Sequence, residues 1–284
     1  MKVILSRKGF DSEYGEFPSP IFPDGTLCSL PIPSDEWPPF SKLTVARRNL
    51  GRVVEDLTHR RSTRRDGVHL DPDLRREMLA RERGWRPSFG TVGAAQTHLE
   101  KQGVGQGDLF LFFGWFRRTI ELQGQLVYDP DAPDMHVIFG WLQVGKIFKP
   151  SRERGDPPMW SRQHPHVKGA RFRSSNNTLY VAAKWLKLPG GSLHVPAGGA
   201  FERFVRALCL TKEGERRTAW RLPAWFHPSG DRPPLSYHGD RRRWRKDVKG
   251  VVLETVARGQ EFVLDCDYYP ECFQWLRGLL SSGT

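Results

Sequence analysis

Two stretches dominate the hydrophobic pattern of this 284-residue chain. Residues 107–117 (GDLFLFFGWFR) and 136–147 (HVIFGWLQVGKI) both read as strands, and both carry Phe-Gly-Trp, at 113–115 and 139–141. The first is apolar on both faces, which predicts a place in the middle of a sheet. Alternation puts Phe113 and Trp115 on one face and Phe112 and Phe116 on the other. A glycine inside a strand marks a bulge, a bend, or the close approach of a ligand or another backbone. Two such glycines between Phe and Trp fit a bulged core. They also fit an aromatic-lined cleft with Trp115 or Trp141 stacked on a base.

The remaining pattern supplies the elements around these strands. Residues 2–7 form a short apolar strand ending at Ser6-Arg7. Prolines at 18, 20, 23, 31, 33, 38 and 39 predict a long irregular surface segment. A helix is expected from 43 to 58. A second should start at Asp71, with Asp71 as N-cap and Pro72 at N1, and run to about Glu82. A third covers 91–102, with Gly103 as its C-cap. Residues 125–128 and 178–182 read as strands, and 149–175 as polar and turn-rich. Residues 220–226 and 236–244 look irregular, aromatic and basic. Two strands, 250–256 and 261–265, are expected to join around Arg258-Gly259, and 269–280 to close the chain as a helix. No linker divides the sequence. The expected fold is one α+β domain over 1–284, with a mixed or antiparallel sheet that curls at its glycines.

Composition narrows the class. Twelve per cent aromatic residues, with ten Trp and seventeen Phe, argue against disorder. The net charge is +12, unevenly spread. Residues 1–40 carry three basic and six acidic groups, 41–90 thirteen and seven, and 241–249 six and one. A surface of this kind attracts phosphates, and arginine meets phosphate oxygens two at a time. Arg60, Arg61, Arg64, Arg65, Arg241, Arg242 and Arg243 are the candidates. A solvated face with compensating acids is the plainer alternative. Cys28, Cys209, Cys266 and Cys272 show no CxxC pair, so they read as reduced thiols of a cytoplasmic protein. No apolar run approaches the ~20 residues of a membrane span. Walker A, GxGxxG and HExxH motifs are missing from the sequence, so nucleotide-triphosphate hydrolysis and zinc proteolysis lack support.

Four places can carry chemistry. The turn after the first strand holds Ser6, Arg7, Lys8, Asp11 and Ser12, where a carboxylate and a cation can orient a substrate or share a proton. In His69-Leu70-Asp71-Pro72-Asp73, two carboxylates and an imidazole can bind a divalent ion or act as acid and base, although helix capping already accounts for the acids. His164-Pro165-His166 precedes Arg171, Arg173, Asn176 and Asn177. A lone HxH needs a third ligand from elsewhere, so no metal is assigned. Asn177 can read a base edge or make a turn. Ser236–Asp240 leads into Arg241-Arg242-Arg243-Trp244-Arg245, where interleaved Arg and Trp suit nucleic acid.

Several of these phrases together resemble the nucleotide modification associated domain family, type 3. They are SRKGFDS at 6–12, PSPI at 18–21, HLDPDL at 69–74, the 107–116 strand, NTLYVA at 177–182 and GQEFVLD at 259–265. The resemblance covers nearly the whole chain. It implies an α+β domain that handles modified nucleotides or DNA with modified bases, and it supplies no cofactor. Asp11, His69, Asp71, Asp73 and Tyr180 are the catalytic candidates it marks. Arg7, Lys8 and Asn177 join the arginines as nucleic-acid contacts. The core alone also resembles PUA-like barrels that hold a flipped base. The rival functions are a non-catalytic reader of modified bases and a subunit of a modification or defence complex.

Overall fold

The computed structural model describes residues 1–151, 158–168, 173–257 and 259–281. Its central sheet grows around the stretch that is apolar on both faces. Strand Leu109–Leu122 pairs antiparallel with Met135–Phe148 and parallel with Lys2–Arg7. Glu261–Asp265 forms the edge beyond Lys2–Arg7. Thr178–Ala182 and then Ser88–Thr91 extend the other side. Short strands Ser19–Ile21, Gln125–Tyr128 and Gly198–Ala200 attach to the two long ones and complete a mixed nine-stranded sheet. Three α-helices, Leu50–Leu57, Gly93–Lys101 and Cys272–Ser281, accompany it among the described residues. The class is α+β, as expected. The barrel core is not: Glu261–Asp265 and Ser88–Thr91 end the strand order at opposite edges without pairing, so no closed barrel forms among the described residues.

The Phe-Gly-Trp strands are core. Phe113 packs against His136, Trp220 and Phe262 on one face. On the other, Phe112 and Phe116 meet Phe139, and Phe112 also meets Phe89. Gly140 sits at a register shift between Ile138 and Gly140. Gly114 allows a close backbone approach, since a Cβ there would lie 2.7 Å from the Lys8 carbonyl oxygen. Neither tryptophan offers a free stacking face. Trp141 is buried against Phe201 and donates from Nε1 to the Pro196 carbonyl at 2.9 Å. Trp115 is covered by the Arg217 guanidinium, 4.1 Å from its ring centroid.

Other expectations change for local reasons. The helix expected over 43–58 starts only at Leu50, after a tight hairpin of Thr44–Val45 and Arg48–Asn49. Ala46 and Arg47 turn that hairpin at φ of 47° and 65°, outside the helical region, and Asn49 caps the helix through the Gly51 N–H at 3.0 Å. The helix expected from Asp71 does not form. Asp73 instead exchanges backbone hydrogen bonds with Ser88 at 2.9 and 3.0 Å, and only a 3₁₀ turn, Arg76–Met78, follows. A ladder with a sheet edge has outcompeted local propensity. The supposedly irregular 220–226 and 236–244 contribute strands Ala219–Leu222 and Trp244–Asp247, which flank Gly250–Glu254 in a small antiparallel sheet. Glu261–Asp265 therefore pairs with the N-terminal strand, not with Gly250–Glu254. Arg258 lies outside the described residues, as does Arg171.

Two buried histidines, His136 and His238, are held in a neutral state that folding favours. His136 accepts the Trp220 Nε1–H at its Nδ1 at 2.9 Å, and burial with nearby Arg217 and Arg7 pushes it down from 6.5 to about 3. Burial lowers His238 to about 4, against its bond to the Ser236 carbonyl. Both groups bind protons more readily when unfolded. Their stabilisation is complete above about 6.5 and is lost as pH falls toward those folded values. Urea denaturation should therefore show stability flat above neutrality and falling below pH 6, with a shallower fall in His238→Gln.

Candidate metal centre

The open edge of the sheet at Ser88–Thr91 assembles a site from four pieces of chain. Residues 71–73 run along this edge, and the Gly90 N–H donates to Asp71 Oδ1 at 2.8 Å. Strand Gly67–His69 pairs with Ile32–Pro39 and carries His69 beside Asp71. Gly67 permits that pairing, because a Cβ would strike the Glu36 backbone oxygen. The 3₁₀ turn Pro165–Val167 brings His164 and His166 in from the other side. Gly90 is needed again here, since a Cβ would collide with the His166 ring.

Three imidazoles surround one carboxylate. His164 Nε2 is 3.4 Å from Asp71 Oδ1, and His69 Nε2 and His166 Nε2 are 3.8 and 3.7 Å from Asp71 Oδ2. The partners of the outer ring nitrogens set the tautomer that each ring takes in its neutral form. His69 Nδ1 donates to Glu36 Oε2 at 2.7 Å. The Asn177 amide donates to the His166 carbonyl at 2.6 Å, which leaves its Oδ1 to accept from His166 Nδ1 at 2.7 Å. In its neutral form each ring thus turns a bare Nε2 toward Asp71 Oδ2. His164 is the reverse. Its Nδ1 accepts the His166 backbone N–H at 3.2 Å, so its proton sits on Nε2, facing Asp71 Oδ1.

One ligand atom from each of His69, His166 and Asp71 therefore meets the others, all three within 4.8 Å of one another. Burial would raise the Asp71 carboxyl. The His164 N–H and the fields of His166, His164 and His69 outweigh it and bring Asp71 down to about 2. Burial pushes His166 down to about 4, against the pull of Asp71. At neutral pH the set is one carboxylate with a neutral His166, which suits a cation. Two imidazoles and one carboxylate are donors for a divalent transition metal, and bonds of about 2.0–2.2 Å would draw them slightly together. Glu36 and Asn177 stand where metal-binding histidines place the partners of their second nitrogen.

Access is from the His69 side. His164, His166 and Asp71 are almost fully buried, while His69 and Glu36 side chains keep 13% and 24% exposure. Trp37, next to Glu36, is 45% exposed, and Lys168 lies 3.5 Å from the Trp37 carbonyl. On the inner side Asp71 lines a cavity of about 40 Å³ with Gly9, Ser29, Arg75 and Phe139. That is room for water but not for a nucleobase.

The other candidates are dispersed. Asp11 Oδ1 accepts the Glu13 and Tyr14 N–H groups, both at 2.8 Å, and so closes a turn. Asp73 is engaged by Arg81 at 2.5 and 2.8 Å and by Trp85 Nε1 at 3.0 Å. Tyr180 lies in the aromatic core, its hydroxyl donating to Gln96 at 3.2 Å. Lys8 forms a buried ion pair with Glu261 at 2.7 Å, and Arg7 donates to the Ala257 and Gly259 carbonyls at 2.8 Å. Arg64 and Arg242 are tied to Glu55 and Asp240, and Arg243 to the Glu254 carbonyl. Arg60, Arg61, Arg65 and Arg241 remain exposed. Asn177 is fully buried, so it positions His166 and reads no base.

A family model, nucleotide modification associated domain 3, matches residues 2–265. The chain belongs to this family. No curated protein and no solved structure matches it. Membership gives the chain a nucleotide-modification context, and no helix among the described residues is long and apolar enough to cross a membrane.

Sequence reasoning missed Glu36 and the joining of HLD to HPH. A signal was present. Residues two apart in extended chain share a face, which points to His69 with Asp71; His164 and His166 come together instead through the 3₁₀ turn that His164 caps. Close packing at Gly90 gives a direct check. Gly90→Ala should cost about 1–3 kcal/mol of unfolding free energy in urea, as overpacked sites do, with His166 displaced. An unchanged midpoint would mean that the His166 ring has room to move.

Proposed function

We propose that this protein is a metal-dependent enzyme of nucleotide or DNA-base modification. The carrying observation is the convergence of His69 Nε2, His166 Nε2 and Asp71 Oδ2 within 4.8 Å of one another, with the outer ring nitrogens held by Glu36 and Asn177. His69, His166 and Asp71 hold a divalent transition-metal ion. His164, whose Nε2–H faces the same carboxylate, is placed to hold or pass a proton. An ion with three protein donors keeps positions for water and substrate, and it polarises whatever binds there. The substrate enters past His69 and Glu36, where Trp37 and Lys168 flank the opening. Family membership supports a substrate of nucleotide chemistry, which we take to be a nucleotide or a nucleic acid with modified bases. A reader of modified bases would need no such donor set.

Metal analysis of protein loaded in turn with zinc, manganese and iron(II) tests this reading. The wild type should retain about one ion per chain, and His69→Ala/His166→Ala should retain none. Glu36→Gln should weaken retention roughly 10–100-fold, the usual effect of removing a ligand's hydrogen-bond partner. Mass spectrometry of nucleosides from cells with the wild type should show a change that Asp71→Asn abolishes. Wild-type protein that retains none of these ions overturns the metal reading.

A further inference from the structure

A second concave feature shares no residue with the metal cluster. An open groove of about 840 Å³ is lined by residues of the small sheet and of helix Cys272–Ser281. Its basic residues are Arg206, Arg221 and Lys249, and its aromatic ones are Trp225 and Trp275. The acids nearby are already engaged. Asp247 holds Arg221 at 3.0 Å, and Glu271 holds Arg232 at 2.8 Å. Arg206 and Lys249 are exposed and, among the described residues, have no carboxylate within ion-pair distance. Arg206 reaches the Thr211 carbonyl at 3.4 Å and lies beside the Cys209 thiol, neither of which carries a formal charge to offset it.

The two indoles are half-buried and held in place. Trp225 stacks on Phe226 at 4.1 Å and 22°, and Trp275 meets Trp225 edge-on at 6.1 Å and 69°. Rings that line the groove and are already held by their neighbours cost little entropy when a flat ligand packs on them. Two uncompensated cations beside two anchored rings match the repeating chemistry of a nucleic-acid strand, anionic phosphate and planar base. The chain as a whole is attractive to it, at net +12.

We infer that this groove binds a single-stranded segment of nucleic acid, with phosphates at Arg206 and Lys249 and bases on Trp225 and Trp275. The inference is independent of the metal centre. It assigns a tethering surface to a protein whose proposed chemistry lies elsewhere on the chain.

Fluorescence anisotropy of a labelled oligodeoxythymidylate, measured at several salt concentrations, tests it. The wild type should bind, with log K falling linearly against log salt. Arg206→Glu/Lys249→Glu should bind at least tenfold more weakly, and its slope should shrink by about 1.4, the value for two phosphate contacts on a single strand. Trp275→Ala should weaken binding about tenfold, through lost stacking, with the slope unchanged. Trp275→Phe, which keeps a flat ring in the packing, should recover most of the affinity. Failure of the wild type to bind, full-strength binding by the charge-reversed variant, or equal binding of polyglutamate would each overturn the inference. The last would point to an acidic protein partner. None of these results depends on whether the protein retains a metal.

Discussion

Three potential ligand atoms, two imidazole nitrogens and a carboxylate oxygen, brought together in a largely buried place form the constraint on which this site depends. Lone pairs on His69, His166 and Asp71 repel unless something positive lies among them. Among the described residues no Lys or Arg side chain lies within ion-pair distance of Asp71. Burial would raise the Asp71 carboxyl, and the imidazoles crowded around it bring it down to about 2; burial in turn lowers His166 to about 4 against the pull of Asp71. At neutral pH the site therefore holds an Asp71 carboxylate beside a neutral His166. Glu36 and Asn177 then hold the rings in the one tautomer that leaves the inner nitrogens free.

The sheet makes this arrangement affordable. Its core strands are apolar on both faces, so they can be buried under layers on each side and hold the edge strand Ser88–Thr91 rigidly. An edge presents unpaired N–H groups, and here one of them binds Asp71. The same edge pairs with Asp73, which orients the 69–73 segment. Glycines at 67 and 90 let the Glu36 backbone and the His166 ring come closer than any side chain would permit. Scaffold and site are thus linked through backbone spacing rather than through shared catalytic side chains. That explains why Trp115 and Trp141, central to the hydrophobic pattern, take no part.

Much of the fold was legible. The paired Phe-Gly-Trp strands, the Thr178–Ala182 strand and the closing helix follow from periodicity and glycine placement. The region after Asp71 was not legible, because its acids mimic a helix start and only a distant strand decides otherwise. Of the candidate residues, His69 and Asp71 were visible as a local phrase, and their grouping with His164 and His166 was not. Those pairs lie about ninety residues apart in sequence, and what joins them is the position of Ser88–Thr91 next to Thr178–Ala182. Exposed arginine clusters were visible too, but sequence could not show that Arg64 and Arg242 are held by their own neighbouring acids.

Anomalous X-ray diffraction, recorded on either side of the absorption edge of the retained metal, tests the central claim most directly. A single strong difference peak is predicted within bonding distance of His69 Nε2, His166 Nε2 and Asp71 Oδ2, with the Glu36 and Asn177 hydrogen bonds intact. A metal peak elsewhere, or a metal-loaded crystal in which these three atoms hold only a water, would contradict it.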